Sequence, residues 1–365
     1  MTNNTAPILN SIQTYLKDPA ASSASAQRVV DGGLASLPPL VELLREDAPI
    51  ARTELLEALY KRILRVLMTR PMSGPDARQL AHYQKQLGFV MKYKSYAVKA
   101  ATPLGYSIFL QNQGQGFSFQ HHLVHKLEVF HIVQVKPGGF VFLCNFEDWE
   151  KVYEPRAFEN WLAGEANPSY DRFKFVPNPG DVFVIAELGI VHTVIGCVLE
   201  EYATVSTDMV KRLHDQNEGR AIPAAFTRAH TERALRAIEP PPRHRLVRGF
   251  GDRDITAIEP VSFPGGERVV LCDSFLKAAC YRLQPGRETA LACDESRALI
   301  LRVARGEGSI VLADSAELGT ARPAVEFGRG DLILIPPGIH YAVRNQGPDE
   351  CEYSEQCIAP EVALV

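Results

Sequence analysis

The chain changes hydrophobic period near residue 104, and that change constrains its architecture more than any other feature. In ELLEALYKRILRVLM, Leu55, Leu56, Leu59, Ile63, Leu64 and Leu67 recur at three- and four-residue steps, with Glu54, Glu57, Lys61 and Arg62 opposite. Such a stripe predicts a helix that buries one face. Pro71, Gly74 and Pro75 end it, and Asp76 suits the N-terminus of a following helix through DARQLAHYQKQLGFVMKY. Beyond residue 104 the period is two. GYSIFLQ, GFSFQHH, EVFHIVQV, GFVFLCNF, DVFVIAELG, VHTVIGCVL and EYATVSTD are short strand-like runs broken by glycine, proline or asparagine. Their spacing predicts an antiparallel sandwich or barrel.

Two interruptions organise the rest. EDWEKVYEPRAFENWLAGEANPSYDR is partly helical and holds both tryptophans, Trp149 and Trp161; it is expected to pack on the outside of the β domain, with a lid as the alternative. AAFTRAHTERALRAI and the run Pro240, Pro241, Pro242 read as a helical connector and a stiff linker. Strand-turn-strand units then return, with glycines in the same order as before. The reading is mainly β with α: a helical N-terminal region (1–98), a β domain (99–215), a helical and proline linker (216–245) and a second β domain (246–365). Several units are what 365 residues imply at about 150 residues per domain.

A hydrophobic content of 46%, 22% charged residues and a net charge of -4 exclude a disordered chain and argue against a nucleic-acid surface. MTNNTAPILNSIQTYLKDPAA lacks a basic region followed by an apolar run, and nowhere do eighteen apolar residues run together. The expectation is a cytoplasmic protein that spans no membrane. The seven cysteines include no CxxC pair, so reduced, mostly buried thiols are expected.

Four of the ten histidines, His121, His122, His125 and His131, fall within eleven residues, interleaved with Lys126 and Glu128 and followed by Gly138 and Gly139. Imidazole and carboxylate together suit a divalent first-row metal, and strands on either side would hold them rigidly. Strict alternation places His122, Lys126 and Glu128 on one face and His121, His125 and His131 on the other, unless a bulge intervenes. His192, in PGDVFVIAELGIVHTVIG, begins a strand after the turn at Gly189 and is the next candidate ligand.

These segments resemble the two motifs of the cupin superfamily. The first maps onto Gly116, the His121 to Glu128 run and Gly138, the second onto Gly180, Gly189 and His192. The resemblance covers about 110 residues here and, more weakly, as many in the second β domain. It implies a bicupin, two double-stranded β-helix barrels of which the first holds a metal. The spacing departs from the family's, since the histidines lie seven, six and three residues before Glu128. The ligands selected are His122, Glu128 and His192, with His125 a fourth reached through a bulge. His121 rivals His122, Gln120 is within reach, and Glu187 is a reserve ligand or catalytic group. Lys126 is a candidate for neutralising a substrate anion, and His131 is expected at the surface or behind the ligands.

The second barrel is expected to be degenerate. PGRETALACDESRALILRVARGEG has no histidine, Cys293, Asp294 and Glu295 stand where ligands would, and His340 is one residue out of register. No GxSxG or HExxH occurs. The resemblance implies a metal-dependent enzyme on a small molecule, with Fe(II) and O2 as the leading cofactor and co-substrate. That reading is an oxygenase for an amino acid, thiol or phosphonate, within walls formed by Phe117, Phe119, Phe130, Val141, Phe183 and Ile185. The alternatives are an isomerase, epimerase or lyase using Zn, Mn or Ni as a Lewis acid, for which the HKLE run speaks, and a non-catalytic binding protein. Neither nucleic acid nor membrane is an expected partner; a homodimer is.

Overall fold

The computed structural model describes residues 5–20, 22–46, 50–70, 72–87, 90–93, 97–101, 105–204, 210–217, 228–315 and 324–359. Pro71, residues 205–208 of the EYATVSTD run and residues 224–227 of the connector lie outside them. Five helices come first: α1 (Thr5–Lys17), α2 (Ser23–Asp31), α3 (Leu37–Arg45), α4 (Ile50–Met68) and α5 (Gly74–Leu87). The stripe of α4 is buried as predicted at Leu56, Leu59, Ile63, Leu64 and Leu67. Glu57, expected on the polar face, is buried too, because neighbouring helices cover more of α4 than one stripe. Ser73 opens α5, its hydroxyl accepting from the Asp76 amide at 3.3 Å.

The first β region contains β1 (Val90–Tyr93), β2 (Ala97–Ala101), β3 (Tyr106–Gln111), β4 (Phe119–His122) and β5 (Glu128–Asn145). Three short helices follow, α6 (Phe146–Val152), α7 (Pro155–Leu162) and α8 (Pro168–Asp171), then β6 (Lys174–Phe175), β7 (Asp181–Ile185), β8 (Ile190–Ala203) and β9 (Val210–His214). After α9 (Arg228–Arg236) come β10 (His244–Arg248) and β11 (Asp254–Ile258). The second β region comprises β12 (Val261–Phe263), β13 (Gly266–Asp273), β14 (Leu276–Leu283), β15 (Ala298–Arg305), β16 (Glu307–Ala313), β17 (Ala324–Gly328), β18 (Leu332–Ile335), β19 (His340–Asn345) and β20 (Cys351–Ile358). The order expected from the change of period, helices and then two β regions, is the order the chain adopts.

Strand pairing moves both boundaries of the first β region: Val90–Tyr93, read as the end of a helix, is β1 paired antiparallel with β2, so strands begin before residue 98. β10 and β11, read from sequence as linker and second domain, hydrogen-bond into the first sheet, whose order is β1-β2-β3-β8-β5-β7-β10-β11, with β4, β6 and β9 paired off this path. β10 lies parallel to β7, and Arg245 clamps Asp181 through paired contacts of 2.7 and 2.9 Å. Periodicity assigns a strand but not its sheet. The proline linker is equally bound in, with Pro241 buried and Leu235 and Ile238 of the preceding segment packed in a core shared by the helices and both β regions.

Alternation along β5 and β8 sets what faces where. Phe130, Ile132, Cys197 and Leu199 point into the first barrel with Ile190 and Val194, whereas Val129, Val133, Val198 and Tyr202 face the helices and the second β region. β8 inverts its parity at Gly196, which sits at a φ of 66° and whose missing Cβ would come within 3.1 Å of Gly139 Cα. His192 and Glu200, both even-numbered, therefore lie on opposite faces.

The outward face carries a buried polar junction between the two β regions. The Glu200 carboxylate accepts from Tyr106 Oη at 2.7 Å, Tyr202 Oη at 2.9 Å and Arg302 Nη1 at 2.8 Å, and contacts His131 Nδ1 at 2.9 Å. Burial acts to raise the Glu200 pKa, but His131, Arg302 and Tyr106 hold it well below the usual carboxylate range. Arg302 comes from β15 of the second region. Removing one member of a buried pair strands the other, so Arg302→Met is expected to cost roughly 3–5 kcal/mol in urea unfolding. Pairing it with Glu200→Gln should recover much of that loss; full additivity of the two substitutions would refute the coupling.

Candidate metal centre

His122, Glu128 and His192 come from three strands and converge inside the first barrel. His122 ends β4, Glu128 begins β5 and His192 lies near the start of β8. Gln120 of β4 is the register partner of His192, which brings β4 across to the β8 edge of the sheet. His122 Nε2 is 3.3 Å and His192 Nε2 3.6 Å from Glu128 Oε2, and the two imidazole centroids are 4.8 Å apart. All three side chains are buried, and one donor atom from each lies within 4.8 Å of the other two.

Apart from their contacts with one another, the donor atoms have no protein partner. His122 Nε2, His192 Nε2 and Glu128 Oε2 are buried without a hydrogen bond, a costly state for groups taken from water. His192 Nδ1 is 2.9 Å from the Ile190 carbonyl; as a donor there, it leaves the Nε2 lone pair aimed at Glu128. Burial, opposed by Glu128, pulls the His192 pKa down to about 4, so its ring is neutral near pH 7 and able to ligate. Burial also acts to raise the Glu128 pKa, but the Lys126 ammonium and the His122 and His192 rings hold the carboxyl well below its ordinary value. Two imidazoles, one carboxylate and unsatisfied buried lone pairs are the donor set a divalent metal requires, and the residues present fit one.

The remaining candidates separate by position. Lys126, in the β4–β5 connection, ion-pairs with Glu128 Oε1 and leaves Oε2 turned to the imidazoles. His121 points to the opposite face, 4.6 Å centroid to centroid from Phe146. His125, expected as a fourth ligand through a bulge, is exposed in the β4–β5 connection and outside the trio, because the chain leaves the strand after His122. Glu187, the reserve ligand, is exposed in the turn between β7 and β8. Gln120 is half-buried and accepts from Ser118 Oγ at 3.0 Å.

Of the six expected wall residues, Phe117, Phe130, Val141, Phe183 and Ile185 line the barrel core. Phe119 instead faces outward into the aromatic layer of Trp149, Phe158 and Trp161 that α6 and α7 lay over the sheet. The tryptophan segment thus packs on the outside, as predicted. Asn145 caps α6, its side chain accepting from the Asp148 amide at 2.7 Å, and Glu154 caps α7.

Among the described residues, the second β region holds no metal-compatible trio of its own. It instead surrounds a cavity of about 360 Å³ lined by residues including Arg268, Tyr281, Asp294, Tyr341 and Glu355. Burial raises the Glu355 pKa to about 7, above its ordinary 4.5, with Tyr341 opposing. The unfolded chain therefore releases this proton first, and stability should decline as pH rises from 4.5 through 7. Glu355→Gln is expected to remove that decline in urea melts at pH 5 and pH 8; an unchanged pH dependence would contradict it.

For the first barrel, His192→Ala and Glu128→Gln should each bind one metal equivalent per chain fewer than wild type, by elemental analysis after dialysis. His125→Ala and Glu187→Ala should retain the wild-type content. Full metal content in His192→Ala would refute the assignment.

No protein-family model and no curated protein matches the chain. Among solved structures it is similar to a mutant of Bacillus subtilis oxalate decarboxylase, at 12% identity over 74% of each chain with a TM-score of 0.44. It is also similar to the Lactobacillus farciminis oxalate decarboxylase formate complex, at 14% identity over 75% of this chain and 84% of that one, with a TM-score of 0.45.

Proposed function

We propose that the chain is a metal-dependent enzyme of the cupin kind that acts on a small polar metabolite at His122, Glu128 and His192. One observation carries this: three buried donor atoms from three strands converge on one another, and none makes a hydrogen bond to the rest of the protein. A surface or packing role would leave these lone pairs hydrogen-bonded or wet. Two histidines and one carboxylate leave coordination positions open, and Fe(II) held by such a set supplies O2-dependent oxidation.

The chain's own residues supply the surroundings. Phe117, Phe130, Phe183 and Ile185 keep bulk water from the inner side and strengthen every electrostatic contact there. The Ile190 carbonyl holds the His192 tautomer, and Lys126 holds the orientation of Glu128. We therefore favour oxygenation of an amino acid, thiol or phosphonate. Lys126 favours a second reading, a lyase or isomerase with Mn, Zn or Ni as Lewis acid, because an ammonium beside the ligands stabilises negative charge developing on a substrate.

Oxygen consumption by protein loaded anaerobically with Fe(II), with those substrate classes, is the expected result. A fall of at least a hundredfold is expected in Glu128→Gln. Turnover under argon with Mn or Zn would replace the oxygenase by the second reading, and loss of neither activity in Glu128→Gln would overturn the site.

A further inference from the structure

A second trio stands on the other face of the same strand. His131 of β5, His244 at the start of β10 and Cys280 of β14 each bring one donor atom within 4.8 Å of the other two. The His131 and His244 rings are 5.0 Å apart between centroids. His131 is 2% and His244 8% exposed, yet His131 Nε2 and His244 Nδ1 are buried with no hydrogen-bond partner. Among the described residues no side chain satisfies either atom, and both belong to the junction between the two β regions.

We propose that His131, His244 and Cys280 form a second metal site, for a borderline-soft divalent ion of the zinc class, which cross-links the two β regions. Two imidazoles and a thiolate suit Zn(II) and disfavour the hard ions Mg, Ca and Mn. The arrangement behind His131 is that of a metal-bound histidine. Glu200 contacts Nδ1 at 2.9 Å, so the ring donates there and turns the Nε2 lone pair towards His244 and Cys280. Tyr106, Tyr202 and Arg302 fix that carboxylate in turn.

His244 and Cys280 also line a cavity of about 450 Å³ that includes Arg282 and Glu352, which gives an ion a route in and leaves room for water or a small anion as fourth ligand. On binding, the Cys280 S–H bond breaks, a sulfur–metal bond forms and one proton passes to solvent. The site is separate from the His122 centre, since His131 and Glu128 project from opposite faces of β5.

Only this second trio contains sulfur, and Co(II) as a probe exploits the difference. Metal-stripped protein titrated with Co(II) should develop a near-ultraviolet thiolate-to-cobalt charge-transfer band. Cys280→Ser and His244→Ala should each abolish the band and lower Co(II) stoichiometry by one, whereas His192→Ala should keep it. Absence of the band in wild type with Co(II) bound, or its persistence in Cys280→Ser, would overturn the proposal. An independent measurement needs no variant: Zn(II) should slow iodoacetamide alkylation of Cys280 in the wild-type chain at least tenfold, followed by peptide mass spectrometry. Alkylation at the same rate with and without Zn(II) would leave the trio a hydrogen-bonded part of the junction and refute the site.

Discussion

Two long paired strands, β5 and β8, carry the constraint on which the rest depends: a strand must show successive side chains to opposite faces. One face of this pair forms the interior of the first barrel, and the other is covered by aromatic helices at one end and by the second β region at the other. Both polar centres hang from it. Glu128 and His192 point inward, His131 and Glu200 outward. The inversion at Gly196 makes this possible, because without it His192 and Glu200 would share a face.

The outward centre explains how two β regions become one body. Burying Glu200 and Arg302 costs several kcal/mol for each ion, which their contact and the hydrogen bonds from Tyr106 and Tyr202 offset. Such a junction contributes less to net stability than to specificity, since a slipped register would strand a buried charge. β10 strengthens the same seam by adding a strand to the first sheet immediately before the chain enters the second region.

Much of the fold was legible in the sequence because hydrophobic period reports local geometry. The stripe of α4, the strand runs and the outward packing of the tryptophan segment all follow from it. The site was legible in part. Parity grouped His122 with Glu128 and separated His121, and the structure agrees with both. His125 lies outside the trio because the run from Leu123 to Leu127 is a connection and not a bulged strand. Phe119 failed as a wall residue because β4 turns its even-numbered side chains, with His122, towards the barrel interior.

The sequence by itself determined the order of helices and strands, the residues capable of ligation and the histidine run that supplies His122 to one trio and His131 to the other. These are properties of neighbours along the chain, where spacing and alternation act directly. Only the tertiary structure decided that residues 244–258 belong to the first sheet, and that His131, His244 and Cys280 meet across a seam with Glu200 behind them. Those residues lie far apart in the chain, so no local period relates them. Their meeting depends on strand pairing and on the docking of two packed regions, which reward contacts between distant segments that local spacing does not encode.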